Sequence, residues 1–362
     1  MKSTSLIDPP SRRASFLQEH ALTSYFLLAF FISWAFWFIE PSLRSRDSIT
    51  AGCLIQLGSY GPILAAMFVS FVSASKQNRP RPWPRFLAGG LALSAAIFSN
   101  WLPARNIFNS AWQPVHFVLL VLLTLLPGWI FFNTLSRSKG VQDLLNSLTR
   151  WRIHPLWFGV AMFLMAILGA TGILLTSLIT GKPLSSWVSS IGSNPTFLHL
   201  GPTFLATALY GGPLGEEAGW RGFALPRLQK RFDPLLASVY LGLIWGLWHL
   251  PLHLTGYYNA LYGNPLMGVL SRLFTAIPQA VLFTWLYNRT NGNLLVVVIF
   301  HTAFNLTSAL IAPEVGLYIT VTIAVVLMVV FDRMYKKTRG VSDIRELPLR
   351  KEETEEKLEP RF

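Results

Sequence analysis

Apolar runs of about 20 residues recur along most of this 362-residue chain, and they constrain its fold more than any other feature. A helix of that length matches the ~30 Å hydrocarbon layer of a bilayer. Inside that layer every backbone N–H and C=O must find its partner within the protein, which excludes open sheet edges and leaves helices. The composition agrees, at 52% hydrophobic and only 13% charged residues, with a mean hydropathy of +0.44. The expected fold is all-α: a polytopic transmembrane bundle of about eight to ten helices, integral to the plasma membrane with the lipid bilayer as solvent. The first run, from Ala21 to Ile39, is too long for a signal-peptide core and no small-residue cleavage site follows it, so it reads as a retained helix. The single Cys53 rules out an internal disulfide framework or a cysteine metal site.

A net charge of +13 suggests a nucleic-acid partner, but the placement of the charge argues against one. Spans at roughly 21–40, 51–74, 86–102, 114–135, 155–179, 198–225, 235–254, 266–287, 292–312 and 315–332 put 24 Lys and Arg in the loops on the amino-terminal side and four on the other. That asymmetry places both termini in the cytoplasm. Segment 86–102 is the weakest span, being short and interrupted by Gly89 and Gly90.

The chain divides into scaffold helices with basic cytoplasmic loops over 1–195, a chemistry-bearing helix bundle over 196–332, and a charged tail over 333–362. Arg79 to Pro84 reads as a stiff, proline-rich connector near the headgroups. Residues 140–153 carry apolar side chains at 141, 144, 145, 148 and 151, the spacing of a basic amphipathic helix on the cytoplasmic surface.

Glu216 and Glu217 are the only acidic residues well inside the apolar stretches. An ionisable group at membrane depth is costly and marks a functional site by default. Residues four apart on a helix are neighbours, so Glu217 is expected to pair with Arg221 and lower the cost of both. Glu216 points about 100° away and is the better candidate to face a reaction site. His249 follows Trp245 by one turn and precedes Pro251, which frees carbonyls near 247; such backbone is tolerated mainly beside a cavity. His253 could complete a His-x-x-x-His metal pair, but the proline disturbs that register, and packing or the interface is the preferred role. His301 and Asn305 share a face, and the amide could orient the imidazole, donate to an oxyanion or ligate a metal. At about 1.5 Å per residue, Glu216, His301 and His249 lie roughly 15, 13 and 20 Å above the cytoplasmic ends of their spans, all in the middle of the bilayer.

Glu216-Glu217-x-x-x-Arg221, Trp245-x-x-x-His249 and His301-x-x-x-Asn305, in this order, resemble the CPBP family of intramembrane proteases, also called Abi or type II CAAX prenyl endopeptidase-like proteins. The surrounding Gly-Glu-Glu-Ala-Gly-Trp-Arg-Gly looks like bacterial members, and the motif region covers roughly 198–312. Trp245 stands where Phe is commoner, and ten spans exceed the roughly eight usual in the family. The resemblance implies an endopeptidase, a hydrolase cutting membrane-associated peptides or membrane-protein substrates. Glu216 would activate water. His249, His301 and Asn305 would stabilise the oxyanion, or a divalent metal, Zn2+ first, would sit on Glu216, His249 and His301. A non-catalytic immunity or regulatory membrane protein is the main alternative. A proton-coupled transporter is disfavoured, because no repeated halves with matched broken helices are visible.

Overall fold

The computed structural model describes residues 19–73, 82–108, 113–192, 199–210, 212–258, 264–311 and 314–337. Every regular element among them is a helix. The principal ones are α1 (Ala21–Ile39), α2 (Ser48–Ser59), α3 (Gly61–Ser73), α4 (Pro82–Phe108), α5 (Pro114–Phe132), α6 (Leu156–Thr180), α7 (Leu200–Tyr210), α8 (Pro213–Gly219), α9 (Pro234–Trp248), α10 (Pro265–Arg289), α11 (Leu294–Leu310) and α12 (Val315–Phe331). Among the described residues, five segments are long and apolar enough to cross a membrane: Ala21–Arg44, Ser48–Ser73, Pro114–Leu135, Leu156–Thr180 and Pro265–Arg289. The α9, α11 and α12 helices are apolar but shorter. The expected polytopic helical bundle is therefore present. Apolar side chains such as Phe31, Phe98, Leu178 and Phe274 point outward, as lipid-facing positions require.

Close backbone approach positions the elements that carry the acidic pair. The α2–α3 segment breaks at Tyr60, and there Gly58 and Gly61 lie against Trp37 and Ser33 of α1 with no room for a side chain. On its other side the same break meets Gly215 and Gly219 of α8. A methyl at Gly215 would collide with the Ser59 carbonyl, and one at Gly219 would stand 2.6 Å from Pro62 Cβ and from the Tyr25 hydroxyl. Small residues four apart are the usual device for such contact in a membrane, where lipid offers no hydrophobic drive for helices to associate. One continuous core then runs from Tyr25 and Trp37 through Trp220, Trp245 and Trp248 to Phe283 and Phe300. The amino-terminal helices thus share a core with the region bearing the acidic pair.

Three local expectations change. Segment 82–108 is one unbroken helix; a methyl at Gly89 would stand 3.0 Å from Phe132 Cβ, so Gly89 serves helix contact, and neither it nor Gly90 interrupts the helix. Residues 139–149 form a short helix, Lys139–Leu145, and a 3-10 turn, Asn146–Thr149. Val141, Leu144, Leu145 and Leu148 are buried in the protein core, so this part of the apolar face covers the bundle, while Trp151 at its end is exposed. Pro226, with Arg227, Lys230 and Arg231 behind it, reads in the sequence as the cytoplasmic end of its helix, but the helix runs on to Gln229. The chain continues through a π-turn, Trp220–Ala224, into Leu225–Gln229, because a proline without an N–H can be carried where the upstream turn is already widened. The tail from 338 and the connector at 79–81 lie outside the described residues.

Asp47 caps α2 between the first two crossing segments. Its carboxylate accepts from Thr50 N at 3.0 Å, from Thr50 Oγ1 at 2.6 Å and from His116 Nε2 at 2.9 Å. Burial alone would raise this carboxyl, but the Thr50 and His116 hydrogen bonds outweigh it and hold it at about 2. A lowered folded value contributes stability that is complete above the unfolded value of about 3.9 and is lost as pH falls toward the folded one. Thermal unfolding of Asp47→Asn is therefore expected to start below wild type at neutral pH, and the gap is expected to close between pH ~4 and ~2. A gap that stays constant across that range contradicts the account.

Candidate active site

Gly212 sets the position of the first carboxylate. Its φ of 110° is open to glycine and strained for other residues. A methyl there would collide with Glu216 Oε1, so the carboxylate rests directly over the glycine. The Glu216 N–H donates to Gly212 O at 2.6 Å and closes the first turn of α8. Gly212→Ala is expected to displace Glu216 and cost about 10²-fold in turnover, with a stability loss of about 1–3 kcal/mol from the strained backbone. Turnover and melting of the purified variant check both; wild-type turnover would show that the cradle is not needed.

One indole joins the groups expected from the sequence. Trp245 Nε1 donates to Glu216 Oε2 at 2.6 Å. The rings of His249 and His301 stand edge-on to it, with centroids 5.5 and 5.9 Å away. Glu216, Glu217, Arg221, His249 and His301 are each no more than 6% exposed. Asn305 lies one turn beyond His301 and is half-buried.

Glu217 holds the site together from behind. Its Oε1 accepts from Arg221 Nη1 at 3.0 Å, the expected i,i+4 pair, and also meets His301 Nδ1 at 2.7 Å. The carboxylate across the helix interface therefore orients the imidazole, a role the sequence had left to Asn305. Arg221 is sealed between rings, 4.2 Å from the Phe283 centroid and 4.9 Å from that of Trp245. Its side chain, like that of Glu217, is fully buried.

His249 sits at the junction of α9 and the short helix Leu250–Leu254. Its own N–H turns back to Gly246 O at 3.2 Å, and its Nδ1 lies 2.8 Å from the Trp245 carbonyl. Pro251 in the next turn supplies no N–H, which explains why the helix changes pitch here. The Trp248 carbonyl is taken by Trp34 Nε1 of α1 at 2.9 Å, tying the junction to the amino-terminal helices. His253 is buried against the Tyr258 ring at 5.2 Å, in keeping with packing.

Arg272 belongs to none of the motifs read from the sequence, being one of two basic residues that fall within the expected spans. It reaches into the site, with Nη2 3.2 Å from His249 Nε2 and the guanidinium 4.4 Å from the Trp245 ring centroid. Its distance from every motif in the chain hid it.

The expected metal fits this arrangement poorly. Among the described residues, no group of three or more His, Cys, Asp and Glu side chains is placed to hold an ion. The Nε2 of His249, an expected ligand atom, has the Arg272 guanidinium 3.2 Å away, a fixed positive charge where a cation would sit. No step below is routed through a metal.

Fold and site together define a polytopic helical membrane protein with a buried acidic, imidazole and guanidinium cluster among its spans. The family profile described as Type II CAAX prenyl endopeptidase Rce1-like matches residues 198–307, which contain all six expected site residues. The chain is 25% identical over 238 residues to "CAAX prenyl protease 2" of Methanococcus maripaludis, covering 61% of this chain and 84% of that protein. It is also 27% identical over 191 residues to "Protoheme IX farnesyltransferase" of Sulfolobus acidocaldarius, covering 42% of this chain and 65% of that one. The region that carries the site, residues 198–307, thus matches the Rce1-like family, and the chain around it is similar to a CAAX prenyl protease.

Proposed function

We propose that the chain is an intramembrane endopeptidase of the cell membrane in which Glu216 activates the attacking water. The observation that carries this reading is the convergence on Trp245, whose indole binds the Glu216 carboxylate and packs against both imidazoles. A carboxylate held this way is a fixed base, and a base in place is worth about 10²–10⁴-fold in rate. His249, His301 and Asn305 surround the peptide carbonyl under attack. Glu217 and Arg221 orient His301 without touching the substrate. The Rce1-like match and the protease relative support hydrolysis of a membrane-associated peptide or membrane-protein tail. The reading is tested by comparing peptide termini in cells carrying wild type or Glu216→Gln. New termini in or beside membrane segments are expected with wild type alone. Identical termini in both would favour the non-catalytic alternative.

Cleavage by purified protein is further expected to survive 1,10-phenanthroline, since the donors are not gathered as a ligand set. Loss of activity that Zn2+ restores would return the metal to the mechanism.

A further inference from the structure

Hydrolysis places negative charge on the carbonyl oxygen under attack, and that oxygen needs donors in place before the reaction. A neutral imidazole has one donor nitrogen and one acceptor. A backbone carbonyl only accepts, so the 2.8 Å contact between His249 Nδ1 and Trp245 O puts the ring proton on Nδ1. Glu217, ion-paired with Arg221, also accepts, so its 2.7 Å contact puts the His301 proton on Nδ1 as well. Both Nε2 atoms then carry lone pairs. In these tautomers the two rings can receive a hydrogen bond, and neither can donate one to an oxyanion.

Arg272 supplies what they lack. A guanidinium has five donors, no acceptor, and keeps its charge. Its Nη2 lies 3.2 Å from His249 Nε2, and Nη1 donates to Gln279 Oε1 at 3.1 Å two turns along the same helix. The Trp245 ring beneath it, 4.4 Å from Cζ, is the one that fixes Glu216. Arg272 is half-buried where Arg221 is sealed, so the first can meet a substrate and the second cannot.

We propose that Arg272 is a further catalytic residue, its guanidinium donating to the scissile carbonyl oxygen alongside the Asn305 amide. This rests on the hydrolase reading above. Water oxygen bonds to the carbonyl carbon while Glu216 takes one water proton, and the C=O π pair moves onto oxygen, facing Arg272. When that pair returns, the C–N bond breaks and the amine leaves with the proton from Glu216. Arg272 transfers no proton.

The test uses the full chain in liposomes with a quenched fluorescent peptide, farnesylated on the cysteine of a carboxyl-terminal Cys-aliphatic-aliphatic-X sequence. Arg272→Ala is expected to lower kcat by about 10²–10³-fold while KM moves by less than about threefold. Millimolar methylguanidine is expected to restore kcat at least about tenfold in Arg272→Ala and not in Arg272→Gln, whose side chain fills the space. Wild-type kcat in Arg272→Ala, a loss confined to KM, or a loss that methylguanidine leaves unchanged overturns the proposal. Should the wild type cut neither this peptide nor any membrane-protein terminus in cells, the hydrolase reading itself fails and the proposal with it. A wild type that cuts beside an equally active Arg272→Ala sinks the proposal alone.

Discussion

Glu216→Gln is expected to lose about 10²–10⁴-fold in turnover while remaining folded and inserted. The amide keeps the size of the carboxylate and the contact with Trp245 Nε1, because its oxygen still accepts from the indole. What it removes is the site that takes a proton from water. The expected signature is therefore a fall in kcat with an unchanged melting temperature. A melting temperature that falls together with activity would recast Glu216 as a structural residue. Wild-type turnover in Glu216→Gln would end its role as base.

The second large effect is structural. Arg221→Ala strands the Glu217 carboxylate, which lies fully buried with Arg221 Nη1 at 3.0 Å and His301 Nδ1 at 2.7 Å as its partners. Breaking a buried pair by deleting one member costs about 3–5 kcal/mol, because the remaining charge is left without compensation in low dielectric. It also removes the cation packed between Phe283 and Trp245, so the ring that orients Glu216 loses a neighbour. Replacing both members by uncharged groups of similar volume, Glu217→Gln with Arg221→Met, avoids the stranded charge. That double variant is expected to be more stable than Arg221→Ala and still slow, since His301 no longer has a carboxylate to hold it. Chemical unfolding of the single and double variants in detergent measures the difference. Equal losses in both would mean that the pair is not what matters.

The parts of this site that follow from spacing along one helix were readable in the sequence. Glu217 and Arg221 are four apart, and Glu216 is turned away from them, so their pairing and its divergence follow from helical geometry alone. The depth of His249 and His301 follows from rise per residue. Contacts between helices were not readable, because they depend on how each helix is rotated about its axis. The sequence could place Asn305 near His301, being on the same helix, but nothing local said that Glu217 would reach that ring. Trp245 showed itself only as an aromatic one turn before His249, and its hydrogen bond to Glu216 appears once α8 and α9 are packed. The same limit explains Pro226, which ends helices by default and here follows a π-turn. It also explains residues 140–153, whose apolar stripe suits a membrane surface or a protein core equally well.

The claim on which the rest depends is that Glu216, His249 and His301 act as one unit around a single indole. Residues that act as a unit show losses that do not multiply. The most direct measurement is the turnover of Glu216→Ala, His249→Ala, His301→Ala and the triple variant, all in the same liposomes with the same quenched peptide. The arrangement predicts a triple variant no slower than the slowest single one. Losses that multiply, or a single variant that works as well as wild type, would contradict it.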